Sequence, residues 1–352
     1  MAGVTMREGA SAFGKFATNS WGVAVAVSKG WYPESDGGLK QAPEYVDDQS
    51  FGQMFLGQAE VGNFAVQDLS IATPAKYNSN EHVLEACAMG SPATVTISTS
   101  AAGQVTSWLH VIDLAASIDG LGITLAFDKK LYVDEVVSAK VYGFEMGADG
   151  SVMKETFKFM GTKPTNISST NINSTVWGAT YPALRNRIFT KNGTFRINAQ
   201  SAGSLVAADA VAIETCQVTF SRPQDAPFVY GSDTIYEPAD QGFPEISIAV
   251  TFPRMSTVSA NSFYAGQRDG TVYKADLTFQ GDFINSTDRY TFVYQFPHLE
   301  AQETSQLAQG ANQIKPDAMF KSKLAASSPS GIATNRPLRI RRTMVNSVHA
   351  FA

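Results

Sequence analysis

Apolar and polar residues alternate with a period of two along much of this chain, and that pattern limits what it can become. In "ETCQVTFS", Cys216, Val218 and Phe220 fall on one face, with Gln217, Thr219 and Ser221 on the other. In "KADLTFQGDF", Ala275, Leu277 and Phe279 oppose Asp276, Thr278 and Gln280. "YTFVYQF" sets Tyr290, Phe292, Tyr294 and Phe296 in one aromatic row, and "MKETFKFM" and "SWLHVIDL" behave alike. Successive side chains of a strand point to opposite faces, so these stretches read as half-buried strands rich in β-branched and aromatic residues. The expected fold class is mainly β.

Composition agrees. Apolar residues make up 44% of the 352, enough for a sizeable core, while charged residues are only 17%. Ser, Thr, Asn, Gln and Gly fill the gap, which suits polar strand faces better than long solvated helices. The formal charge of −5 argues against a protein that grips nucleic acid by its phosphates. The one dense basic cluster, "RPLRIRR" (Arg336, Arg339, Arg341, Arg342), alternates with Leu338 and Ile340 and reads as a strand with a charged face. Two cysteines supply neither a disulfide framework nor a metal quartet. The triplets at Asn166, Asn173, Asn192 and Asn285 match the glycosylation pattern, but no secretory signal precedes them. The run "WGVAVAV" is too short to span a membrane. The expectation is a soluble protein, made in a reducing compartment, with no cofactor and no metal.

Helical candidates are few: residues 80–89 and about 256–266. Around them the order of elements recurs. Each copy has a strand ending at a proline (Pro74, Pro253), a short helix, a glycine (Gly90, Gly270) and a new strand. The prolines lie 179 residues apart and the glycines 180. An aromatic strand follows, "SWLHVIDLA" or "YTFVYQFPHL", and then a closing pair of strands. A repeat of this kind reads as a duplicated supersecondary unit. The expected organisation is an N-terminal arm (1–16), a first β module (17–163), a Thr/Asn/Ser-rich connector (164–194), a second module (195–346) and a short tail (347–352). The connector is long for a bare link and is expected to pack on the surface or against a neighbour.

The stretch "NEHVLEACAMG" crowds His82, Glu81, Glu85 and Cys87 together, the residue types of a thiol nucleophile or a metal site. Five residues on a helix turn through roughly 500°, so His82 and Cys87 diverge by about 140°. Val83, Leu84, Cys87 and Ala88 form the apolar stripe, which sends Cys87 inward. His82 is expected near solvent, and Glu81 suits the first turn, with Asn80 or Ser79 as cap. The helix of the second copy has neither Cys nor His. No "GxSxG", "HExxH", "GxxxxGK[ST]" or "CxxC" occurs, and His110, His298 and His349 have no ligand spacing. Asp128, Asp134 and Glu135 read as turn charges. The chain is expected not to be an enzyme.

Two long loops, 30–48 and 222–242, are acidic and aromatic and take equivalent places in the two copies, after the first strand of each. Long loops are usually functional, and exposed Tyr, Trp, Phe and Pro favour contact with another protein.

The run "LVAADAVAIETCQVTFSRPQDAPFVYGSDTIYEPADQGFPEISIAVTFP" resembles the second half of the tail tube proteins of long-tailed bacteriophages. The matching features are Asp209–Ile213, the strand Cys216–Ser221, the turn Arg222–Pro223 and Glu237–Pro238. "WGVAVAVSKG" is similar to that family's opening strand, and "HVLEACAMGSPATVTIS" to its helix and next strand. The resemblance covers most of residues 17–345 as a pattern and excludes 164–180. It implies β-sandwich or β-barrel modules, each with one short flanking α-helix, in two tandem tail-tube-like copies. Three chains would close a homotrimeric, pseudo-hexameric ring, and rings would stack into a tube in the virion. Tape measure, terminator and baseplate proteins would be its partners, with no membrane, and DNA would pass through without specific binding. The loop residues Tyr32, Glu34, Asp36, Tyr45, Asp47, Phe228, Tyr230, Asp233, Tyr236 and Glu237 become ring-stacking candidates. Gln217, Thr219, Ser221, Asp276, Thr278 and Gln280 become lumen-facing candidates. Alternatives are another virion component (terminator, baseplate hub or decoration protein) and a carbohydrate-binding or hydrolytic β-domain.

Overall fold

Antiparallel hairpins between the alternating segments build the molecule. Its structure, a computed structural model, describes residues 10–16, 21–39, 45–46, 60–91, 94–99, 103–183, 186–253, 259–305 and 316–347. The first part of the chain forms β1 (Ala10–Phe16), β2 (Lys29–Trp31), β3 (Tyr45–Val46), β4 (Glu60–Val61) and β5 (Val66–Pro74). Helix α1 (Glu81–Met89), β6 (Thr94–Thr99), β7 (Ser107–Asp113), β8 (Gly122–Asp128), β9 (Val133–Asp149) and β10 (Val152–Gly161) follow. After β11 (Pro164–Thr165) and α2 (Asn173–Trp177) come β12 (Gly193–Ala199), β13 (Ala210–Val211), β14 (Thr215–Ser221), β15 (Gln224–Asp225) and β16 (Ala239–Asp240). The chain closes with β17 (Glu245–Thr251), α3 (Ser259–Asp269), β18 (Val272–Phe283), β19 (Arg289–Ser305), β20 (Asp317–Ser322) and β21 (Arg339–Met344). The fold is mainly β, as expected.

Hydrogen-bonded neighbours recur in the same order in the two halves. In the first half the order is β2-β1-β8-β9-β10-β5. In the second it is β13-β12-β18-β19-β20-β17. The 17-residue strands β9 and β19 occupy the same place, and each carries a one-residue bulge opposite its hairpin partner, at Tyr142 and at Gln302. A bulge bends a strand, which lets one strand serve two layers.

β14 joins the halves. It pairs with β17 on one side and with Gly143–Gly147 of β9 on the other. The result is a seven-stranded layer, β5-β10-β9-β14-β17-β20-β19. Its inward row runs Ile71, Phe157, Phe144, Phe220, Ile246. A second layer, β13-β12-β18-β19-β21-β7-β6, lies on the other side of the core. Phe144 of the first layer stacks on Tyr294 of the second at 6.5 Å between centroids, and on Phe220 at 5.0 Å. One apolar cluster spans both halves, so the join is part of the core and not a hinge.

Several expectations fail. Residues 10–16 are no arm: β1 pairs with β8 along its length and with β2. "WGVAVAVSKG" contributes only β2, and β1 is the true opening strand. "SWLHVIDL" (β7) is not the counterpart of "YTFVYQF" (β19), because β6–β7 is a hairpin with no counterpart among the described residues of the second half, and it pairs with β21. Alternation sets a residue's face but not its neighbouring strand. The loops 30–48 and 222–242 also follow different strands, β2 and β14. The connector does pack on the surface, with Val176 of α2 seated against Ala12, Val27 and Ala126.

α1 ends where expected. Gly90 adopts φ 72°, and a Cβ there would lie 2.3 Å from the Ser117 carbonyl oxygen. It is not an outer flanking helix, however: all nine of its residues are buried. His82, expected near solvent, is 0% exposed; its Nδ1 lies 2.8 Å from the Ser79 oxygen and its ring 5.0 Å from that of His110. Asn80 sits at the cap position but donates to the carbonyls of Gly30 and Thr180, both at 2.8 Å, and makes no cap bond. Cys87 is buried, as expected.

Candidate assembly surfaces

The outward face of the seven-stranded layer is polar and continuous. One row of register partners crosses it: Ala72, Thr156, Glu145, Thr219, Ser247, Lys321, Glu300. Gln217 and Ser221 flank Thr219 on the same strand face, and Gln217 donates to Glu145. Lys154 pairs with Glu34 at 2.9 Å and Asp149 at 2.5 Å; Lys321 pairs with Glu245 at 3.4 Å. A shallow hollow of about 570 Å³ opens on this face, lined by Glu145, Gln217, Glu303, Asp317 and Met319 among others. Its charged lining is wholly acidic.

The strand crossing that makes this face depends on glycine. A Cβ at Gly143 would sit 2.8 Å from the Phe220 carbonyl oxygen, so β14 approaches β9 as closely as it does only over a residue without one.

The expected lumen residues divide. Gln217, Thr219 and Ser221 stand on this face. Asp276, Thr278 and Gln280 belong to β18 in the second layer, whose outward face looks the other way, so the two groups cannot line one channel. Asp276 is also no free acid. It is 4% exposed, and Arg196 grips it with Nε at 2.8 Å and Nη2 at 2.6 Å. Burial raises its carboxyl against the pull of that arginine.

The loop 222–242 is a strap from the second half over the first. Arg222, fully buried, donates to Asp240 at 3.0 Å and to the Ala115 carbonyl at 2.9 Å. Glu237 pairs with buried Lys140 at 3.0 Å and accepts from the Gly120 amide at 2.9 Å. Asp233 binds Lys163, which lowers its carboxyl, and its carbonyl accepts from Phe64 at 2.9 Å. Asp233 and Glu237 are therefore anchors inside the chain. The tip remains bare: Phe228, Val229 and Tyr230 are exposed, Tyr230 fully, as are Tyr236 and Phe243.

In the other loop, Glu34 is held by Lys154, Asp36 by Lys129 at 2.9 Å, and Tyr32 lies under the Lys76 ammonium at 4.3 Å. These three also serve the chain's own packing. Tyr45 is the first residue of β3, and Asp47 lies outside the described residues.

Sequence reasoning missed the strongest buried site. Arg342 of β21 donates to Glu85 of α1 at 2.6 Å and Glu155 of β10 at 2.8 Å, and stacks 4.1 Å over the Phe292 ring. All three charged groups are at most 1% exposed. Burial raises both carboxyls against the pull of Arg342, Glu155 well above its ordinary value. The signal lay in parity: Arg342 shares the face of Leu338 and Ile340, not that of Arg339 and Arg341.

Among the described residues no group of three His, Cys, Asp or Glu is placed to hold a metal, and no helix is long and apolar enough to cross a membrane. Comparison with known proteins found no matching family model and no matching curated protein.

Proposed function

We propose that the chain is a duplicated structural subunit that polymerises as stacked rings, forming a tail tube whose lumen is the polar face around Thr219. The carrying observation is that the face runs unbroken through both halves, with β14 as the in-chain joint. Polymerised around an axis, such a layer would give a continuous wall of Thr, Ser, Gln, Gly and carboxylates, with Lys154 and Lys321 held by acids of the same chain. A channel for DNA must not hold phosphates, and an acidic, small-residue wall repels them and permits sliding. The recurrence of one strand order supports a tandem duplication, which in turn supports three chains per pseudo-hexameric ring. The bare loop tip at Phe228–Tyr230 is the stacking element. The protein would then reside in the virion.

Electron microscopy of the purified protein tests this reading. Hollow filaments with a regular ring repeat are expected. Single rings that never stack would indicate a terminator instead, and a persistent monomer at high concentration would sink both.

A further inference from the structure

Among the described residues, the in-chain joint has a counterpart on β19 along which no strand runs. On β9, the neighbour β8 stops at Ala139, the bulge residue Tyr142 follows, and its carbonyl accepts the backbone N–H of Arg222 at 2.8 Å, at the end of β14. On β19, the neighbour β18 stops at Glu300, and the bulge residue Gln302 follows. Here the carbonyl accepts from a side chain: Gln267 Nε2 of α3, at 2.6 Å. Gln267 Oε1 in turn accepts from the Thr304 hydroxyl at 2.7 Å. Among the described residues no strand lies on this edge of Glu303–Ser305.

A second edge matches it. Glu214 N–H donates to the Thr251 carbonyl at 2.7 Å, where β14 begins to run beside β17. Glu34 N–H donates to the Ala72 carbonyl of β5 at 2.8 Å in the same way, but no described strand then continues along β5. β14 thus fills the space between β9 and β17; among the described residues no strand runs along the corresponding edge of β19, while at the other end of the layer residues 34–37 lie against the edge of β5, where a Cβ at Gly37 would sit 2.6 Å from the Ser70 carbonyl oxygen.

We propose that Gln267 is a removable plug on the β19 edge, and that a second copy of this chain displaces it by adding a strand there. The side-chain amide stands in for the backbone N–H that Arg222 supplies on β9. A strand between β19 of one copy and β5 of the next would repeat the in-chain joint head to tail, the arrangement that closes rings. The plug keeps a lone chain from pairing edge to edge before assembly begins. This inference rests on the ring-forming reading above.

Three measurements on the full chain test it. Gln267→Ala should lower the concentration at which rings form by roughly tenfold, equivalent to about 1.4 kcal/mol. Thr304→Pro removes the backbone N–H two residues beyond the Gln302 carbonyl, on the same edge of the strand, where proline is tolerated; it should stay folded by near-ultraviolet circular dichroism and lose ring formation. The Thr304 amide of the unmodified protein should gain hydrogen-exchange protection on assembly. If rings form but that amide exchanges as in the monomer, or Gln267→Ala needs the same or more protein, or Thr304→Pro assembles normally, the plug is wrong and the ring reading stands. If the unmodified protein never assembles, both fall.

Discussion

The Arg342 guanidinium donates to Glu155 at 2.8 Å across 187 residues of sequence, tying the last strand of the chain to the first half. Removing one partner of a buried, hydrogen-bonded ion pair leaves an uncompensated charge and costs about 3–5 kcal/mol. Arg342→Ala should therefore lower stability by that amount in chemical denaturation. A loss under about 1 kcal/mol would mean that water already reaches the site.

The same cluster gives a pH dependence. Burial raises both carboxyls of the Glu85–Glu155 pair, so the folded protein holds protons there to higher pH than the unfolded chain, which releases them above the ordinary value of 4.5. The unfolded state then binds fewer protons, so the contribution is complete below about pH 4.5 and declines as pH rises. Glu155→Gln needs no proton to accept from Arg342. Its melting temperature should fall less than the parent's as pH rises above about 5. Equal slopes in the two proteins would remove the proton from the account.

Gly143 controls the joint between the halves. Gly143→Val would force a side chain against the Phe220 carbonyl, which a Cβ already approaches to 2.8 Å. Overpacking of this kind costs about 1–3 kcal/mol. Hydrogen exchange should quicken in β14 before it does in β18. Unchanged exchange in β14 would show that the joint tolerates a side chain.

Tyr230 is fully exposed at the tip of the strap. Tyr230→Ser should leave stability within about 0.5 kcal/mol and reduce tubes to separate rings in micrographs. Long tubes from this variant would clear the loop tip of a stacking role.

Much of the fold was legible in the sequence, and for physical reasons. Alternation located β10, β14, β18 and β19, because a half-buried strand must sort its side chains by face. Gly90 marked the end of α1, because the chain there needs a left-handed residue. Partners were not legible. Glu85 and His82 look solvated on a helical wheel, yet Arg342, which neutralises Glu85, is 257 residues away. Pairing of β7 with β21 was hidden for the same reason: both alternate well, and nothing local names a strand's neighbour. Of the candidate surface residues, Thr219 and its neighbours were placed by parity alone, while the acids Glu34, Asp36, Asp233, Glu237 and Asp276 proved to be internal anchors whose cations lie elsewhere in the chain.

Cysteine labelling of assembled protein tests the central claim, that the face around Thr219 lines an enclosed channel. The native cysteines give little background, since both are buried and burial pushes the Cys216 thiol up to about 12. Thr219→Cys should react in the assembly with a small maleimide and resist one carried on a bulky polymer, while Gln280→Cys, on the opposite layer, should react with both. Free reaction of Thr219→Cys with the bulky reagent, and protection of Gln280→Cys instead, would contradict it.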